Sequence, residues 1–297
     1  MTRKKIRTAL TAVSLLLLSL TAAAAQEESS EAIQNARLVD ILPLDGEVFH
    51  VQGVDLDSRR IWVTSADLAG RRGYLHEFDR HSGRLLRRLE LTDGPRYHPG
   101  GISLDGGSIW VAVAEMTPDS SATLVEIDTD SLRIRRRISV ADHLGCVAVS
   151  GRTLIAGNWD SRLLRIFDLA SGKQVRVVPN PFPTRYQDMK IVGRQLVAGG
   201  LVTPFSGTID WIDLPSMTLA RTARTGVTDR ARPYTGEAMA LKGRDLFLVP
   251  EDGPSRLFHF RLRDEDVQDG STVRLSAIDA AEGVRAEARS TRRLYQA

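Results

Sequence analysis

The chain has 297 residues, 42% of them apolar and 26% charged, with 40 Lys and Arg against 37 Asp and Glu and a single cysteine, Cys146. That length can bury a large core, and one cysteine excludes an intramolecular disulfide. Four of the basic residues lie in the first seven positions with no acidic residue near them, so the remainder carries about −1 and lacks the basic excess of a nucleic-acid binder.

Residues 1–25 read as a secretory signal peptide, with Arg3, Lys4, Lys5 and Arg7 before an apolar run from Ala12 to Leu20 and then the small residues Ala22 to Ala25. The run is shorter than the roughly 20 residues of a membrane span, and no cysteine follows it to carry a lipid. Cleavage near Ala25 would release a periplasmic or secreted product without a membrane anchor. Residues 26–35 are expected to be a flexible N-terminal segment, and 36–263 a single all-β domain.

ARLVDILPL, from Ala36 to Leu44, reads as a strand without a local partner. Five units follow, each led in by a polar cluster. A seven-residue step runs from Val54 to Ile61, Ile102 to Ile109, Val147 to Leu154, Met189 to Leu196 and Met239 to Leu246. The runs that begin there, such as IWVTS and IWVAVA, are apolar throughout, as in a strand covered on both faces. Third strands end in Asp79, Asp128, Asp168 and Asp213 before turn residues, where a carboxylate can cap the turn by bonding backbone amides. Fourth strands alternate Arg with apolar residues, as at LRIRRRISV from Leu132, which suits a solvated outer edge. The fifth unit lacks a fourth strand, and the N-terminal strand can supply it. The spacing of 42 to 50 residues between units predicts a five-bladed β-propeller of four-stranded antiparallel blades. Residues 264–297 are left as a partly mobile tail in which VRLSAI, from Val273, can form a strand.

In a propeller, the connections entering the inner strands and those between second and third strands open on one face, so the polar clusters HVQG, HPGG, HLGC, RYQD and TGEA share a rim. His50, His98 and His143 occupy equivalent positions in three blades. Neutral imidazoles so placed could hold a divalent metal such as zinc, with Glu237 as a fourth ligand or as a general base. The alternative is that each histidine caps its incoming strand. Ligand-binding candidates on the same rim are Gln52, Glu115, Asn158, Trp159, Asp160, Arg162, Tyr186, Gln187, Asp188, Glu251, Asp252 and Arg256. Trp159 offers an apolar wall and Arg162 a fork for a carboxylate or phosphate, unless Arg162 pairs with Asp160. The acidic members would also suit calcium. Cys146 stands where other clusters have Gly53, Gly101, Asp188 and Ala238, and reads as a packed small residue.

HVQG, RYHPGG, DHLGC, GNWDSR, YQDMK, TGEAM and PEDGPSR together resemble a family of exported bacterial propeller proteins of unknown function. A fainter similarity is to the five-bladed plant-type glutaminyl cyclotransferases, whose units open with aromatic-x-Gln-Gly, as Phe49 to Gly53 nearly does with one extra residue. Their Glu-rich inner motifs are here largely His and Gly. The expected function is therefore binding of a small polar molecule at the rim, with metal-dependent hydrolase or lyase chemistry. A non-catalytic binding or protein-interaction scaffold is the alternative, and glutaminyl cyclisation a lesser one.

Overall fold

The computed structural model describes residues 36–263 and the short strand Val273–Leu275; the expected signal peptide (1–25), the 26–35 segment and the rest of the 264–297 tail lie outside the described residues. Five sheets form the blades. Blade one holds β2 (His50–Leu56), β3 (Arg60–Asp67), β4 (Arg72–Asp79) and β5 (Leu85–Glu90), and blade two holds β6 (His98–Asp105), β7 (Ser108–Ala114), β8 (Ala122–Asp128) and β9 (Ile134–Val140). Blade three comprises β10 (Leu144–Ser150), β11 (Thr153–Asn158), β12 (Leu163–Asp168) and β13 (Lys173–Pro179). Blade four comprises β14 (Arg185–Val192), β15 (Gln195–Thr203), β16 (Ser206–Asp213) and β17 (Thr218–Thr225). Blade five takes β18 (Ala238–Lys242), β19 (Asp245–Val249) and β20 (Arg256–Arg261) from the end of the ring and β1 (Arg37–Pro43) from its start.

The N-terminal strand thus closes the ring as the sequence predicts, with Leu38 opposite Phe260 and Ile41 opposite Phe258. The strand expected in the tail also forms. As β21 (Val273–Leu275) it pairs in parallel with β17 and gives blade four a fifth strand.

Each seven-residue step becomes a tight hairpin, with Leu56 facing Ile61, Leu104 facing Ile109, Val149 facing Leu154, Ile191 facing Leu196 and Leu241 facing Leu246. The apolar runs are covered on both faces because the core lies between blades. Val54, Ile61 and Phe78 of blade one pack on Ala240, Phe247 and Leu257 of blade five, and Trp110 and Leu124 of blade two pack on Val147 and Phe167 of blade three. Comparable clusters fill the other three seams. The strand-ending aspartates cap turns as expected: Asp79 accepts from the Ser82 amide at 2.8 Å, Asp128 from Ser131 at 2.6 Å, Asp168 from Ser171 at 3.2 Å and Asp213 from Ser216 at 3.0 Å.

The inner strands carry the feature that shapes the channel. Pairing slips by one residue at the same point in four blades, around Gln52 in β2, Gly100 and Gly101 in β6, Gly145 in β10 and Gln187 in β14. Such bulges re-aim side chains out of the regular alternation. They also crowd the strands together below the mouth. A Cβ on Gly100 would lie 1.9 Å from the Gly145 carbonyl oxygen, and one on Gly53 would lie 2.7 Å from Gly101 Cα. The glycines in HVQG and HPGG are therefore required by close backbone approach.

Candidate functional site

The mouth of the channel is a cavity of about 260 Å³. Its wall includes the first cluster residues His50, His98 and His143, and the bulge-level residues Gln52, Gly145, Gln187 and Glu237. Met116 from the β7–β8 connection and Asn158, Trp159 and Asp160 around the β11–β12 connection complete one side, with Tyr186 beneath. Two sets of connections, distant in sequence, thus meet as the repeat predicts.

One hydrogen-bonded chain organises the acidic side. Glu251, at the end of the β19–β20 hairpin, accepts from the Val51 amide at 2.9 Å and meets His50 Nδ1 at 3.1 Å. An ionised carboxylate only accepts, so Nδ1 carries a proton and Nε2 of neutral His50 is an acceptor. The Gln52 amide nitrogen lies 2.8 Å from that Nε2, 2.8 Å from the Val51 carbonyl and 3.2 Å from Glu237 Oε2. Its two hydrogens therefore serve three acceptors, which couples the amide to the protonation of both His50 and Glu237. The Glu251 hydrogen bond raises His50 above its ordinary value against the opposing effect of burial. Burial pushes the Glu237 carboxyl up to about 8, assisted by Glu251 and opposed by His50. At neutral pH Glu237 is thus largely a neutral acid facing the cavity.

The histidines form a row. Ring centroids are 6.1 Å apart from His50 to His98 and 6.2 Å from His98 to His143, and the Trp159 ring lies edge-on to His143 at 4.6 Å. Burial lowers His98 to about 3 and also lowers His143, so both rings are neutral. The metal reading of these three does not fit the geometry. Three imidazoles on one tetrahedral zinc would bring their centroids to about 5 Å from one another. Here they follow one another around the wall, and both nitrogens of His50 already have protein partners. Among the described residues, no group of three or more His, Cys, Asp or Glu side chains is placed to hold a metal ion.

Several other predicted residues are brought to the rim, but their polar groups are taken up by neighbouring parts of the protein. Glu115 binds the Ser121 hydroxyl at 2.6 Å and braces its own loop. Arg162 donates to the carbonyls of Asp160, Phe182 and Pro183, at 3.2, 3.2 and 3.3 Å, so it fastens the PNPFP segment and makes no side-chain pair with Asp160. Asp252 is buried and pairs with Arg256, which also grips Asp229 at 2.6 Å and covers the Phe258 ring. Asn158 lines the cavity while its Oδ1 caps the Leu163 amide at 2.7 Å. The Tyr186 hydroxyl donates to Asp210 at 2.7 Å, which leaves its ring as floor.

Asp188 departs furthest from its expected role. It is fully buried below the mouth, where its carboxylate accepts from the amides of Val54 at 3.0 Å, Met239 at 3.1 Å and Met189 at 2.9 Å and from Lys190 Nζ at 2.6 Å. Lys190 Nζ also donates to the Ile102 carbonyl at 2.7 Å. Blades one, two, four and five are thereby tied together across the axis. Sequence reasoning missed Lys190 and Met116. The first had no signal beyond its position two residues after Asp188, whereas Met116 sits in a connection already assigned to the rim.

The family of unknown function DUF6454 matches residues 46–219. The chain belongs to that family. No curated protein matches the chain. Among solved structures, a glutaminyl cyclase from Myxococcus xanthus superposes with a TM-score of 0.57 at 13% identity, covering 76% of this chain and 95% of that one. BamB from Moraxella catarrhalis gives 0.41 at 14% identity, with 74% and 61% coverage, and a chain of a mitotic checkpoint complex gives 0.47 at 14%, with 77% and 96%. The first likeness shows that this DUF6454 chain shares the glutaminyl cyclase's fold.

Proposed function

We propose that this DUF6454 protein is exported by its leader, binds a small polar ligand in the channel mouth and transfers protons on it through Glu237. The supporting observation is a carboxyl that faces a cavity of about 260 Å³ and titrates at about 8. A proton donor or acceptor works best when its titration lies near the operating pH. Glu251 holds the His50 tautomer, and Gln52 links that ring to Glu237. This is a positioning arrangement: it fixes which atoms face the ligand before the ligand arrives. Hydrolysis or elimination on a small substrate would need such an acid, and no step in this reading uses a metal.

A second reading is favoured by the shared fold with the Myxococcus xanthus glutaminyl cyclase together with an acid at the mouth. In it, the α-amine of an N-terminal glutamine attacks its own side-chain amide carbon, and Glu237 takes the amine proton. The same proton then passes to the departing nitrogen as the C–N bond breaks and ammonia leaves.

A thermal-shift screen of small polar compounds on the tag-free chain tests the first reading. Bound at 100 times its dissociation constant, a ligand stabilises by about 2.7 kcal/mol. Glu237→Gln should remove that stabilisation while leaving the unliganded protein folded. Absence of any small-molecule stabilisation, with binding of another protein to the same face, would favour the scaffold alternative. Ammonia release from an N-terminal Gln peptide decides the second reading.

A further inference from the structure

We infer that the mouth is a site for an organic primary amine, its ammonium received between Glu237 and the Gln52 side chain and its carbon chain lying against Trp159 and Met116. This rests on the mouth being the ligand site proposed above, and it names the ligand's chemistry from the charges and surfaces present.

Among the described residues, the cavity wall holds acids and no lysine or arginine. Glu237 and Asp160 line it, with Glu251 directly behind His50. Arg185, at the position in its cluster that the three histidines hold in theirs, does not line the cavity, and three other rim arginines are engaged by the protein: Arg162 by three carbonyls, Arg256 by Asp229 and Asp252, and Arg230 by the carbonyls of Asp252 and Pro254 at 2.6 and 2.9 Å. A carboxylate or phosphate entering here would face three acids, and the one ring whose titration is raised, His50, is already held by Glu251. His98 and His143 do not supply a cation, because burial keeps both neutral. A primary ammonium instead finds the Glu237 carboxyl at one end of the cavity, with the Gln52 side chain beside it. At the other end, Trp159 is partly exposed and Met116 is exposed, which gives an apolar path out of the mouth. Hydrocarbon placed there leaves water, and an aromatic face also favours a nearby cation.

Proton linkage makes the inference quantitative. The charged groups facing Glu237 are His50 from β2 and Glu251 from the β19–β20 hairpin. An ammonium pairs best with ionised Glu237, so binding near neutral pH expels the proton that the free carboxyl holds. Loss of the His50 proton at rising pH removes a competing positive charge and acts in the same direction. With Glu237 titrating at about 8 in the free protein, apparent affinity should rise on the order of 50-fold from pH 6 to pH 8 while the amine itself stays protonated.

The experiment is calorimetric titration of the full chain with ethylamine, butylamine and benzylamine, beside butyrate, benzoate and benzyl alcohol, at pH 6, 7 and 8. Each titration is repeated in two buffers of different ionisation enthalpy. The expected result is binding by the amines alone, tightest for benzylamine, with nearly one proton released at pH 7 and affinity climbing with pH. Glu237→Gln should abolish proton release and weaken the amines at least tenfold. Trp159→Ala should lower benzylamine affinity several-fold and leave ethylamine little changed. Equal binding of benzoate, flat or falling affinity with pH, or amine binding that survives Glu237→Gln with the same proton release would overturn the inference. If benzyl alcohol binds in a Glu237-dependent way and the amines do not, the amine assignment fails and the mouth remains the ligand site. If none of the six probes binds, both fail.

Discussion

Replacing Asp188 by Ala should do more damage than any change at the rim. The substitution leaves three buried backbone amides, of Val54, Met189 and Met239, without their acceptor and removes the counter-ion of Lys190, which is only 4% exposed. An orphaned buried donor costs about 1–3 kcal/mol, and breaking a buried ion pair by removing one partner costs about 3–5 kcal/mol. Because the bonds share one carboxylate these figures overlap, and a loss of about 4–6 kcal/mol is expected. That is a large part of the roughly 5–15 kcal/mol that holds a typical domain. For a domain of this size each kcal/mol moves the midpoint by about 2–4 °C, so urea and thermal unfolding should both show the loss plainly. Asp188→Asn keeps the shape and one good acceptor, and should cost about half as much. Lys190→Met should cost less than Asp188→Ala, since the carboxylate then keeps its three amides. An Asp188→Ala protein within about 1 kcal/mol of wild type would refute the view that this residue ties four blades across the axis.

Three further outcomes follow from the same geometry. Gly101→Ala places a Cβ 2.6 Å from the Gln187 carbonyl and 2.7 Å from Asp188 Oδ1; overpacking of this kind should cost about 1–3 kcal/mol in urea unfolding. Glu237 holds its proton more tightly in the folded chain, at about 8, than at its ordinary 4.5. Its contribution to stability is therefore fully present below pH 4.5, declines from there and is lost as pH rises through 8, so Glu237→Gln should gain about 2–3 kcal/mol on wild type between pH 6 and pH 9. Wild type and variant showing parallel stability profiles from pH 6 to 9 would contradict that assignment. Burial pushes the Cys146 thiol up to about 12, so native protein at pH 8 should resist alkylation for hours and react stoichiometrically once denatured.

Much of the ring was legible because it depends on local pattern. Hairpin offset, turn-capping aspartates, apolar second strands and arginine-rich edges each follow from a few consecutive residues, and repetition multiplied a weak signal five times. The orphan strand at Ala36–Leu44 even revealed the closure, since blade five could not otherwise have a fourth strand. The rim was legible for a related reason. Equivalent positions in successive blades meet at the axis, which is why His50, His98, His143 and Glu237 do share a cavity.

What the sequence could not determine was direction and depth. Arg162, Asp252 and Arg256 occupy rim connections as expected, yet whether a guanidinium meets a ligand or a neighbouring carbonyl depends on loops folded elsewhere in the chain. The bulges at Gln52, Gly100–Gly101, Gly145 and Gln187 shift one residue per inner strand relative to the next, and that shift decides which side chains reach the mouth. Asp188, one residue past its bulge, drops into the axis and finds three amides and a lysine. Composition and spacing therefore set the number of blades and the face that carries the polar groups. Only the tertiary structure separated the residues that line the cavity from those that brace it, because that choice depends on contacts between segments up to about 200 residues apart, as between His50 and Glu251.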